Sequence, residues 1–133
     1  MRWGERPVGV RWTAAAYVTG FLEGAGAHAY FLVKSGPHAY AYAPVLIQLL
    51  FHGLVLLDPL VALLTAMGRP VGPPVAAAVM TADLVANWVV EWSAVRADPL
   101  AFLRPAGLLP ISVFGVFVLA SAVPMRRALM SDG

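Results

Sequence analysis

The stretch MTADLVANWVVEW, Met80 to Trp92, decides how the chain is read. Asp83, Asn87 and Glu91 recur every four residues, which on an α-helix confines them to an arc of roughly 80°. The residues around them, Val79, Leu84, Val85 and Val89, are those of a membrane-spanning helix. Hydrocarbon offers no water to hydrate a carboxylate. Two acids and an amide on one stripe must therefore face a protein interior or a wet cavity.

The rest of the chain agrees with a membrane setting. Of its 133 residues, 60% are hydrophobic and only 12% charged, and the mean hydropathy is +0.76. A soluble domain of this length carries about twice that charge. Four apolar segments of the length a span needs cover residues 12–33, 44–67, 74–95 and 108–124. Almost nothing is left over for a soluble domain. The expected fold is all-α, a single integral membrane four-helix bundle. A net charge of +2 without a basic, aromatic-laced patch excludes nucleic acid as a partner. The chain has no cysteine, which removes disulfides, thiolate zinc sites, iron–sulfur clusters and dithiol chemistry.

Taken in order, Arg2, Arg6 and Arg11 with Trp3 and Trp12 read as a basic, indole-rich anchor. Ala25-Gly26-Ala27 looks like a signal-peptide cleavage site, but Glu23 interrupts the apolar run before it, so the segment reads as retained. Helix 1 spaces Ala16, Gly20, Gly24 and His28 by four, a small-residue seam that lets another helix come close. A homodimer through Gly20 and Gly24 is the expected use of it. Lys34-Ser35-Gly36-Pro37 ends that helix, and Tyr40 and Tyr42 read as an interfacial aromatic belt. Helix 2 follows Pro44 and carries Gln48 and His52 one turn apart. Pro59, just after Asp58, frees the carbonyl of Val55 and predicts a kink, which Asp58 is placed to cap. The Gly68–Pro74 turn makes helices 2 and 3 antiparallel neighbours. Asp98 and Pro99 open a short interfacial helix over residues 98–104, stopped before Pro105.

Six of the nine Lys and Arg residues (Arg2, Arg6, Arg11, Arg69, Arg126 and Arg127) fall on one side of such a bundle, and Lys34, Arg96 and Arg104 on the other. Basic residues favour the cytoplasm, so both termini are expected there, with the chain multi-pass in the plasma membrane.

Four of the seven acids, Glu23, Asp58, Asp83 and Glu91, lie inside the expected spans. Left charged and unpaired at mid-membrane, together they would cost roughly 10–14 kcal/mol. A rise of 1.5 Å per residue sets Glu23 and Asp83 near the midplane and Asp58 about 4 Å to the cytoplasmic side. His52 and Asn87 come out about 4–6 Å to the outside, His28 about 8–9 Å, and Gln48 and Glu91 about 10–11 Å. This predicts a shared chamber lined by helices 1, 2 and 3, with helix 4 as a wall. Each residue also has a plain structural use. Glu23, Asp83 and Asn87 serve as hydrogen-bond glue between helices, Glu91 as a hydrated partner for Arg96, and His28 and His52 as packing residues.

A protonated acid beside a neutral base supports general acid–base catalysis in a dry pocket. The expected function is therefore a small membrane enzyme running redox-neutral chemistry (isomerisation, cyclisation or hydration) on a lipophilic molecule such as an isoprenoid, a sterol-like compound or a polyketide. Glu23 and Asp83 are the expected acids, His52 the base and Asn87 an orienting group. Trp88, Glu91, His28, Gln48 and Asp58 would line the substrate. Around Asn87 and Trp88 the kind of residue resembles the emopamil-binding group of sterol isomerases and lipid binders, which place acids, a His and an Asn–Trp pairing inside a bundle. Glu23, in the middle of helix 1, is similar to the single acid of small four-helix multidrug exporters, which lack acids in helices 2 and 3. Two further classes stay open, a proton-coupled transporter and a non-catalytic membrane subunit or lipid-binding module. No cofactor is expected. Flavin, nucleotide and haem motifs are absent, and no HxxxH or ExxH pair on one helix indicates a metal. The expected partners are membrane lipids and a lipophilic small molecule.

Overall fold

A computed structural model describes residues 1–104 and 107–131. Among these there is no strand. The chain forms four long helices, α1 (Val8–Ser35), α2 (Val45–Ala66), α3 (Gly72–Ala97) and α4 (Leu108–Met130), with three short 3-10 turns at Trp3–Glu5, Gly36–His38 and Pro99–Leu103. Three of the four, α2, α3 and α4, are long and apolar enough to cross a membrane. α1 has the length, but Glu23, His28 and its glycines leave it less apolar.

The connections follow from local chemistry. Gly68 adopts a left-handed φ of 66°, and its N–H bonds the Thr65 carbonyl while the Arg69 N–H bonds that of Leu64. This closing pair satisfies carbonyls at the end of α2 and turns the chain straight into α3. At the far end of α3, Asp98 Oδ1 accepts from the Leu100 N–H at 3.2 Å, with Pro99 in the first position. The segment expected as an interfacial helix is thus a 3-10 turn. Pro105, expected to stop it, lies outside the described residues.

Two prolines sit inside helices without ending them: Pro59 in α2 and Pro124 in α4. α4 runs a turn and a half beyond the end expected at Pro124. Met125 and Leu129 are held there by Ala14, Trp3 and Val10, and that burial outweighs one missing hydrogen bond. The same contacts bring the first turn of α1 and the end of α4 together. Trp3 Nε1 donates to the Ala66 carbonyl at 2.8 Å, so the α2–α3 turn lies at this end too. All six arginines grouped by the sequence reading are therefore at one end of an up-down-up-down bundle.

α1 packs most extensively on α2, and α3 on α4; α2 against α3 and α1 against α4 close the ring. The core holds Tyr17, Phe21, Phe51, Leu54, Val61, Ala76, Met80 and Val118. The outside is apolar as well, with Leu46 79% and Leu56 77% exposed on α2. Tyr17 ties α1 to α4, its Oη lying 3.1 Å from the Val118 carbonyl and 2.7 Å from Ser121 Oγ.

The seam on α1 is occupied within the chain. A Cβ on Gly20 would run into the Phe114 ring, and one on Gly24 would come 2.8 Å from Asp58 Oδ2. Within the chain, Gly20 admits a side chain of α4 and Gly24 one of α2. Gly20→Ala is expected to lower stability by about 1–2 kcal/mol, since overpacking exceeds the gain in helix propensity. Thermal unfolding in detergent micelles checks this.

Candidate functional site

The inward stripe of α1, Tyr17, Phe21, Gly24 and His28, follows the helical period. It fixes which polar groups meet. Gly24 carries no side chain, and Asp58 of α2, only 3% exposed, fills the space beside it. On α3, Asp83 is half-buried. Asn87, one turn further along, donates to Asp83 Oδ1 at 2.8 Å and also to the Asp83 carbonyl at 2.8 Å. The amide thereby fixes one carboxylate oxygen and leaves the other free. Among the described residues neither carboxylate has a cation beside it.

Aromatic rings pack beside the two histidines at the α1–α2 loop. Tyr40, in the connection between α1 and α2, is 4% exposed rather than at the surface. Its Oη shares a 2.7 Å hydrogen bond with His28 Nδ1. Its ring packs on Phe51 at 4.9 Å and on His52 at 5.6 Å between centroids. His52 Nε2 is buried and has no hydrogen-bond partner. Tyr40 thus joins His28 of α1 to Phe51 and His52 of α2.

Burial pushes the Tyr40 phenol up to about 12, and the neighbouring Tyr42 and Asp83 add to the effect. Burial also raises Tyr42, with a contribution from Glu91. A raised phenol is neutral in both states below 10.0 and ionises first in the unfolded chain above it. The bundle should therefore lose stability as the pH climbs from 10.0 to about 12. Alkaline titration of tyrosinate absorbance should show a component near 12 that Tyr40→Phe removes.

The other expected site residues go elsewhere. Glu23 is exposed on the outside of α1 with Thr19, Ala27 and Tyr30. The period of 3.6 carries it about 120° round from the inward stripe. Asp58 turns into the interior against Gly24 rather than capping the helix at Pro59. Gln48 Nε2 donates to the Ala43 carbonyl at 2.7 Å and so anchors the loop. Glu91 is exposed. Trp88 Nε1 donates to Ser112 Oγ of α4 at 3.0 Å, and its ring packs on Phe102. Leu84, Val85, Trp88, Val89 and Trp92 line a shallow apolar groove on α3, on the side away from Asp83. Among the described residues no three His, Asp or Glu side chains are grouped to hold a metal ion.

Tyr40 is the member that sequence reasoning missed. Its only signal was an aromatic placed between two helix ends, which is also that of an interfacial belt.

No family model, no curated protein and no solved structure matches the chain. The resemblances noted at Asn87–Trp88 and at Glu23 thus gain no support from these comparisons.

Proposed function

We propose that this chain is a multi-pass protein of the plasma membrane, with both termini in the cytoplasm, that carries out redox-neutral acid–base chemistry on a lipophilic molecule. The observation that supports the reading is that acids of two different helices turn inward, Asp58 of α2 buried against Gly24 and Asp83 of α3 half-buried and bonded by Asn87. The clustering of six arginines at the end that holds both termini supports the orientation.

In this reading the protonated member of the pair is the acid, and it transfers its proton to a carbon–carbon double bond, an epoxide or an enol. The ionised partner stabilises the resulting cation. Asn87 orients Asp83 through its 2.8 Å bond. His52, with a free ring nitrogen, accepts the proton that leaves the product. Membrane lipids surround the bundle, and the substrate reaches it from the bilayer.

Mass spectrometry of lipophilic molecules that co-purify with the protein tests this. The wild type should carry two species of equal mass, or differing by one water, and Asp58→Asn should carry only one of them. Identical extracts from both would remove the enzymatic reading.

Proton-coupled transport is a second reading, favoured by Pro59 directly after Asp58 inside α2. A proline without its N–H is a place where a helix bends, and bending there would move the acid. Substrate uptake driven by a pH gradient in proteoliposomes, without chemical change, would select it.

A further inference from the structure

The apolar groove on α3 faces outward, with Val85 58%, Val89 56% and Trp92 54% exposed along it. It encloses about 520 Å³. From Leu84 to Trp92 it is roughly 12 Å long at 1.5 Å per residue. Contacts with α4 and the following turn hold its walls. A Cβ on Gly115 of α4 would come 3.0 Å from Leu84 Cδ2, so Leu84 lies close against that glycine. Trp88 Nε1 is bound to Ser112 Oγ at 3.0 Å, and Phe102 packs on its ring at 5.6 Å between centroids. The nitrogen of Trp88 is thus already engaged, and Leu84, Val85 and Val89 present only carbon. One turn past Trp92 the helix carries Arg96, about 40° round from it and so on the same face. Arg96 is exposed and, among the described residues, has no ion pair. Glu91, its expected partner, is five residues back and therefore about 140° away round the helix.

We propose that this groove holds an acyl chain of a phospholipid with an anionic headgroup, whose phosphate is bound by Arg96 at the end of the bundle away from both termini. The inference rests on the membrane reading above and is independent of the acid–base chemistry. The groove selects for hydrocarbon, because a chain lying in it meets carbon and leaves no polar group unpaired. Arg96 selects for charge. Its guanidinium begins about 6 Å beyond Trp92 along the helix, past an indole of the kind that marks the membrane–water interface. A phosphodiester at that depth accepts two N–H bonds from one guanidinium. A zwitterionic headgroup brings its own cation beside Arg96 and gains less. Lys34, at the same end of the bundle but on α1, is engaged elsewhere, with Nζ donating to Tyr30 Oη at 3.1 Å.

The test is quenching of tryptophan emission by lipids brominated in the acyl chain. The protein is reconstituted in phosphatidylcholine vesicles that contain rising fractions of brominated phosphatidylglycerol or brominated phosphatidylcholine. Trp88 and Trp92 line the groove and report bromine there, while Trp3 and Trp12 at the other end give a background common to all variants. The wild type should reach half-maximal quenching at a fraction of brominated phosphatidylglycerol about 5-fold lower than of brominated phosphatidylcholine, the preference one basic residue gives near an anionic surface. Arg96→Gln should abolish that preference. Lys34→Gln removes the same charge from the same end and should leave it unchanged. Equal curves for the two lipids in the wild type overturn the site, and so does an equal loss in both variants, which would mean diffuse attraction only. Quenching by both lipids that weakens as the protein-to-lipid ratio rises gives the groove to a second copy and also overturns it. A protein that fails to float with the vesicles overturns the membrane reading as well.

Discussion

Asp58→Asn and Asp83→Asn should each keep the helical content of the wild type and reduce turnover by about 10²–10⁴-fold, the range lost when a positioned proton donor is removed. The substitutions are nearly isosteric, so packing against Gly24 and the bond from Asn87 are preserved in shape. What is lost is the proton and the charge. Conversion of the proposed lipophilic substrate, measured by mass spectrometry in micelles, gives the rate, and far-ultraviolet circular dichroism gives the fold. Glu23→Gln provides the contrast. The sequence reading made it a catalytic acid, but the structure sets it on the outside of α1, so turnover should survive. Loss of turnover in Glu23→Gln with retention in Asp58→Asn would reverse the assignment.

Tyr17→Ala should have the largest effect on stability, about 3–5 kcal/mol, because it empties a fully buried aromatic site. Tyr17→Phe isolates the polar part. The hydroxyl lies between the Val118 carbonyl and Ser121 Oγ, and its loss should cost about 1 kcal/mol, in the range of hydrogen bonds within membrane bundles. Ser121 retains the Phe117 carbonyl as acceptor at 2.6 Å, which limits the damage. Unfolding of the micellar protein with increasing dodecyl sulfate measures both. A Tyr17→Ala protein as stable as the wild type would mean that α1 is not held to α4 through this residue.

The helices themselves were legible because their signals are local. Apolar runs of span length and the Gly68 turn depend on neighbours in sequence, and the described elements fall close to the expected ranges. Which polar groups meet depends on how each helix is rotated, and hydropathy left α1 undecided. The seam at Gly20, Gly24 and His28 marked a close-packing face, yet the sequence could not say whether the neighbour was a second copy or the chain's own α2 and α4. Once Gly24 faces Asp58, the helical period sends Glu23 outward. The sequence offers Asp58 two uses, as the cap of a proline kink and as part of a substrate lining, and nothing local chooses between them. Its place in the interior comes from the empty volume at Gly24, 34 residues earlier in the chain. Tyr40 escaped notice for a related reason. A loop residue has no period, and only the folded connection shows its hydroxyl on His28.

Infrared difference spectra at neutral pH test the proposed pairing of Asp58 and Asp83 inside the bundle. A shared proton gives a protonated-carboxyl band in the wild type that disappears or shifts in both Asp58→Asn and Asp83→Asn and is unaltered in Glu23→Gln. A band that stays unchanged in the two aspartate variants would contradict it.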